Sequence, residues 1–200
     1  MPNWLKSVRR SYTLPVKYGF LALLIFSIQG CKRTPSSPAA QQMKRDLWWT
    51  YLASYEELPG STVVNLALKS LAPMAERSTL LVTGVSYQSA PENSGLPDAA
   101  ELDFLNRLST KRLNLVAKHT TAILVGSFTH KNERLDYIYV SDAAGLDVAL
   151  RQFYQTECPT RQPYINLKID PRWEAYLDFL YPNAQTIQHN RSELQKLGAL

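Results

Sequence analysis

The chain has 200 residues, 45% of them hydrophobic and 20% charged, a size that suits one domain with an appendage. Its formal charge of +5 is concentrated at the N-terminus: four of the 22 basic residues (Lys6, Arg9, Arg10, Lys17) and none of the 17 acidic ones precede Cys31, which leaves 18 against 17, or +1, for the rest. That near-neutral remainder excludes the basic patch that nucleic-acid binding needs, so neither nucleic acid nor an acidic partner is expected.

The appendage comes first. A positive stretch is followed by the apolar run "FLALLIFSI" (Phe20 to Ile28) and then Gln29-Gly30-Cys31. This order of positive, apolar and small residues predicts a secretory signal peptide over residues 1–30. The run is about half the roughly 20 apolar residues that a bilayer-spanning helix needs. "IQGC" resembles the lipobox of bacterial lipoproteins, which implies cleavage between Gly30 and Cys31 and lipidation of Cys31. Two or three acyl chains there would meet the requirement for stable membrane anchoring. Lys32 follows the cysteine, and by resemblance to enteric-type sorting this implies the periplasmic face of the outer membrane. Residues 31–44, including "KRTPSSPAAQQM", have linker composition and predict a tether of at most about 40 Å. The only other cysteine, Cys158, is then an odd thiol.

The folded domain is expected over residues 45–200. "DLWWTYLASYEELPGSTVVNLAL" reads as a β-hairpin, with Pro59-Gly60 suited to a type II turn. The adjacent Trp48 and Trp49 must point to opposite faces of a strand, so one joins the core while the other is covered or offered to a partner. "STLLVTGVSY" is a strand. Asp98 and Glu101 have capping-box spacing and open a helix to about Lys118, apolar on two sides. "TTAILVGSFT" and "RLDYIYVS" are strands joined at His130 to Glu133. Leu146, Ala149, Leu150 and Phe153 mark a second helix, with Ser141 and Asp142 as cap candidates. "YINLKID" alternates as a half-buried strand that carries Tyr164. Asp170-Pro171 then suits a helix start, with Trp173, Tyr176, Leu177 and Leu180 on one face, and a last helix runs from Asn183 to about Leu197.

From residue 78 the order is strand, helix, strand, strand, helix, strand. The predicted fold class is α+β: a ferredoxin-like split βαβ antiparallel sheet with both helices on one face, an N-terminal β-hairpin and two C-terminal helices. The segments "DLWWTYL", "SDAAGLDVALRQF" and above all "DPRWEAYLDFLYP" resemble a bacterial family, domain of unknown function 695, over about Asp46 to Lys196. That family is distantly similar to the protein inhibitor of ribonuclease E, another ferredoxin-like module. The resemblance implies a fold and carries over no catalytic or ligand residues.

The sequence patterns offer little chemistry. His119, His130 and His189 have no metal-ligand spacing, and no HExxH or CxxC pattern occurs, so no metal site is expected. "VTGVSYQ" and "VGSFTH" lack the second glycine of a nucleophile elbow. No GxGxxG or Walker pattern cradles a phosphate, and no cofactor is expected. Cys158 with a histidine is a formal nucleophile pair, but a loop thiol packed beside Pro159 is the better explanation. Glu56-Glu57 suits turn solvation, and Asp178 faces away from Trp173 and Tyr176.

The expected function is that of a membrane-anchored envelope lipoprotein acting as a non-catalytic protein-binding module, with Trp48, Trp49 and Tyr164 as partner-binding candidates. Two alternatives stay open: a hydrolase with a dispersed active site, and an inhibitor or immunity lipoprotein. The fold class cannot choose among them.

Overall fold

The computed structural model describes residues 46–89 and 94–199. The leader, Gly30, Cys31 and the tether lie outside the described residues.

Strands β1 (Trp48–Tyr55) and β2 (Leu58–Asn65) form the expected hairpin, but its turn is Glu56-Glu57, both at positive φ (48° and 67°). A two-residue turn of that hand matches the right-handed twist of the strands, which a type II turn at Pro59-Gly60 would not. Pro59 and Gly60 instead lie within β2. Gly60 serves packing there: a Cβ would sit 2.5 Å from the Tyr55 ring. A 3-10 turn over Leu66–Ser70 follows, capped by the Asn65 side chain.

Next come β3 (Thr79–Ser86) and α1 (Ala99–His119), whose first turn is capped by Asp98 accepting from the Glu101 N–H at 2.8 Å. Strands β4 (Ala122–His130) and β5 (Glu133–Val140) are joined by Lys131-Asn132, again a pair at positive φ. Helix α2 (Leu146–Glu157) begins at Gly145 rather than at Ser141 or Asp142. The Asp142 carboxylate accepts from the Ala144 N–H and shapes the approach to the helix. Strand β6 (Pro163–Ile169) ends the sheet.

These strands make one six-stranded antiparallel sheet in the order β1-β2-β4-β5-β3-β6, so the fold is α+β. The hairpin extends the sheet beside β4, and the six-strand order therefore differs from that of a four-stranded split βαβ sheet. Leu81, Val85, Ile138 and Val140 face α1 and α2 and pack with Leu105, Leu108, Val116, Leu146 and Leu150. On the other face Trp49, Tyr51, Val64, Leu80, Val82, Phe128, Tyr137 and Tyr139 make a second, aromatic core.

The C-terminal segment covers that second face, in a form that periodicity does not predict. No regular helix starts at Pro171. The Asp170 carboxylate accepts from the Glu174 and Ala175 N–H groups and from the Tyr139 hydroxyl at 2.6 Å, so the chain winds around it. Trp173 adopts φ of 55°. A π-helical turn, Ala175–Leu180, follows, with the Tyr181 N–H donating to the Tyr176 carbonyl. Trp173, Tyr176 and Leu180 are nonetheless fully buried, and the Trp173 ring stacks on Tyr139 at 4.1 Å. The expected last helix is broken at Asn190 into α3 (Ala184–His189) and α4 (Arg191–Lys196).

Tyr137 is fully buried in the aromatic core, and its hydroxyl finds no hydrogen-bond partner among the described residues. An unsatisfied buried hydroxyl costs about 1–3 kcal/mol. Tyr137→Phe is therefore expected to leave stability unchanged or raise it by about 1 kcal/mol, read from the midpoint of urea unfolding. A loss above about 1 kcal/mol would show that the hydroxyl is bonded.

Candidate interaction site at the open end of the sheet

Alternation along β1 decides which tryptophan is inside. Trp49, Tyr51 and Tyr55 point into the aromatic core, and Trp49 is 3% exposed with its ring stacked on Tyr51. Trp48, Thr50 and Leu52 point to the other face, where Trp48 is 40% and Leu52 53% exposed. The β2 residues beside them, Ser61 and Val63, are half-buried. Helices α1 and α2 cover β3 to β6 on this side, and among the described residues no element covers the hairpin's face.

At one end of that bare face lies a cleft of about 230 Å³. Trp48, Leu68 and Leu71 form one side, Ala122 to Leu124 of β4 the floor, and Leu113 of α1 the far wall. Its polar rim is Asp46 and Asn65, already tied together by an Asn65 Nδ2 to Asp46 hydrogen bond of 2.8 Å. The Asn65 carbonyl-type oxygen also accepts from the Leu47 and Ala67 N–H groups, which fixes the strand end that carries Trp48. A cleft this size is below the roughly 300–1,000 Å³ typical of small-molecule sites. It suits a single apolar or aromatic side chain.

The three sequence candidates do not converge. Trp48 lines the cleft, whereas Trp49 is core. Tyr164 is half-buried on β6, at the opposite edge of the sheet, with its ring against the aromatic core and its hydroxyl accepting from Asn166 at 3.3 Å. Leu52, Leu68 and Leu113 were missed as site residues. The strict alternation of "WWTYLASY" already places Leu52 on the Trp48 face, but nothing local brings Leu113 there.

A cluster of ionisable groups with shifted titration lies elsewhere and is sealed. Between α1, α2 and the sheet, Asp136 of β5 is 1% exposed. It accepts from Ser127 at 2.7 Å and from Ser109, and is ion-paired with Arg112, with Arg134 Nε 4.0 Å away. Arg112 also donates to the Tyr154 hydroxyl at 2.9 Å, which lies 2.7 Å from Thr83 Oγ1. Burial alone would raise the Asp136 carboxyl, but the two guanidinium charges and the serine hydrogen bonds hold it below the usual carboxylate range. A perturbed cluster in a cleft would suggest catalysis. This one is out of reach of any solute and reads as a polar core.

Other nucleophile and ligand candidates are equally bland. Cys158 is buried among the apolar residues beneath α2, and burial pushes its thiol up, away from a reactive thiolate. His119 and His189 are exposed, His130 is buried at the end of β4, and burial pushes its imidazole down. Among the described residues no group of three or more His, Cys, Asp or Glu could hold a metal ion. Among them, too, no helix is long and apolar enough to cross a membrane.

No curated protein and no solved structure shows significant similarity to the chain. One family does match, and its match spans β1 through the π-helical turn, ending at Tyr181, short of the Lys196 suggested by the segment resemblance. Over residues 46–181, more than half its length, the chain belongs to the family described as a family of unknown function, DUF695.

Proposed function

We propose that the protein is a membrane-anchored envelope lipoprotein, held through Cys31 on the periplasmic face of the outer membrane, whose folded domain binds another protein without catalysis. The observation that carries the binding part is the half-exposed Trp48 on the wall of an apolar cleft. Aromatic anchors seated in small apolar depressions dominate protein interfaces. The cleft lies beside Asp46, the first described residue, which closely follows the tether segment in sequence. The hydrolase alternative draws no support from the titratable groups, because the strongly shifted ones are buried. An inhibitor or immunity role would use the same surface and differs only in the partner.

The finer description of the fold belongs here as well. We read β3 to β6 with α1 and α2 as a ferredoxin-like unit. In support, those four strands run β4-β5-β3-β6, which is second, third, first, fourth within the unit, and both helices lie on one face.

Both parts have one experiment. Full-length protein is cross-linked in intact cells and recovered from membranes, alongside Trp48→Ala and Cys31→Ala. Wild type is expected to carry a cross-linked protein that Trp48→Ala loses at least tenfold, and Cys31→Ala to leave the membrane fraction. Equal capture by Trp48→Ala sinks the binding site, and a membrane-bound Cys31→Ala sinks the anchor.

A further inference from the structure

The sheet has two edges, and they are treated differently. β6 opens with Pro163, which has no N–H to donate, and carries Lys168. Prolines and lysines are common means of blunting an edge. β1 has neither: from Leu47 to Tyr55 it contains no proline and no charge over an eight-residue strand.

The hydrogen-bond phase of β1 follows from one contact. The Leu66 N–H donates to the Leu47 carbonyl at 2.8 Å, and the register continues as Trp49 opposite Val64 and Tyr51 opposite Thr62. Odd residues of β1 therefore exchange bonds with β2, and the even ones, Trp48, Thr50, Leu52 and Ser54, aim N–H and C=O out of the sheet. Trp48, Thr50 and Leu52 among them carry exposed side chains, so one surface combines a backbone edge unpaired among the described residues with Trp48 and Leu52.

We propose that β1 pairs with β1 of a second copy of this chain, antiparallel about a two-fold axis through Thr50, making one continuous sheet across the dimer. The inference rests on the binding reading and names its partner. A strand entering this edge must set its own outward residues against Trp48, Thr50, Leu52 and Ser54, and β1 itself meets that condition. About Thr50, Trp48 and Leu52 are each two residues away. Each exposed Trp48 then lies opposite the exposed Leu52 of the other copy, and Thr50 faces Thr50, a favourable cross-strand pair. Charge selects this register over its neighbours. Shifting the axis to Tyr51 sets Asp46 opposite Glu56, two like charges. Shifting it to Leu52 sets Trp48 opposite Glu56. Shifting it to Trp49 sets Leu52 opposite Asp46. The Thr50 register sets Asp46 opposite Ser54.

The length of chain outside the described residues is compatible with it. With about 3.4 Å per residue, the two Asp46 ends lie about 27 Å apart along the paired strands. A tether of about 13 residues reaches about 40 Å, so both copies can be anchored in one bilayer. Confinement to that surface raises the effective concentration of a pairing whose interface is small.

The test is disulfide trapping of the full-length, membrane-located protein. Directly paired residues have Cα atoms about 5.5 Å apart, within disulfide reach, so Thr50→Cys on the axis is expected to give a linked dimer. Ser54→Cys, whose mate is about 27 Å away, gives none. Adding Leu52→Lys, which sets a charge against Trp48, reduces the Thr50→Cys dimer at least tenfold. Far-ultraviolet circular dichroism confirms that each variant is folded. The pairing is overturned if Thr50→Cys links no better than Ser54→Cys, or if Ser54→Cys links instead. If Thr50→Cys stays monomeric while wild type still captures a foreign protein that Trp48→Ala loses, the dimer falls and the binding reading stands. If neither is seen, both fall.

Discussion

Replacing Asp136 with asparagine is expected to lower the stability of the domain by about 3–5 kcal/mol, because breaking a buried ion pair leaves uncompensated charge in the interior. For a domain of this size that is a fall in Tm of roughly 10–15 °C. The side chain keeps its volume, so the loss reports on charge: Arg112, 2% exposed, and Arg134, 8% exposed, would be left without their carboxylate. Arg112→Met combined with Asp136→Asn should lose less than the sum of the two single changes, since the members of one network are coupled. The pH dependence has a definite sign. The Asp136 carboxyl is held below its unfolded value of about 3.9, so its stabilisation is fully present above about pH 4 and is lost as pH falls through the folded value. Wild type should therefore show an acid-side loss of stability that Asp136→Asn lacks. Parallel acid profiles for the two proteins would show that the pair is not the source.

Trp173 offers the second large effect. It is 0% exposed, stacked on Tyr139, and its Nε1 donates to the Arg77 carbonyl at 2.9 Å. Trp173→Ala is expected to cost about 3–5 kcal/mol through the cavity it leaves. The backbone adds a sharper test. At φ of 55° alanine is strained and glycine is not. In ordinary helical positions glycine is worse than alanine by about 0.5–1 kcal/mol. Here Trp173→Gly should be as stable as Trp173→Ala or more stable, measured by thermal or urea unfolding. The usual order of the two would show that the positive φ does not survive in the variants.

Both residues mark the limits of what the sequence discloses. The strands, the capped α1 and the β4-β5 hairpin were legible, because alternation and Asp98-to-Glu101 spacing are local signals. The residue spacing in α1 predicts apolar packing on two sides and no polar group among them. Yet Ser109 and Arg112 fall on the face defined by Leu105, Leu108 and Val116, and hydrophobic periodicity does not register a polar group that another element satisfies. The hairpin turn was assigned to Pro59-Gly60 because that dipeptide is a strong turn signal. The glycine is there instead to admit the Tyr55 ring, a tertiary demand. The regular helix expected from Pro171 was displaced by Asp170, whose carboxylate gathers N–H groups and the Tyr139 hydroxyl from another strand.

The candidate site was half legible for the same reason. Adjacent tryptophans must face opposite ways, but the choice between them is made by the C-terminal segment, more than 100 residues later. That segment covers the odd face of β1, so Trp49 is interior and Trp48 remains available. Tyr164 was proposed on alternation alone and is separated from Trp48 by the width of the sheet.

The covering of the hairpin by the C-terminal segment also bears on the order of events in synthesis. The Tyr51 hydroxyl donates to the Leu180 carbonyl, 129 residues along the chain, and the Tyr176 hydroxyl donates to the Asn65 carbonyl, 111 residues away. The aromatic face of the sheet, hairpin included, therefore lacks its cover until almost the last residues are made. Contacts of such long sequence separation form late and slowly. A domain built this way closes its aromatic core only when its C-terminal segment arrives.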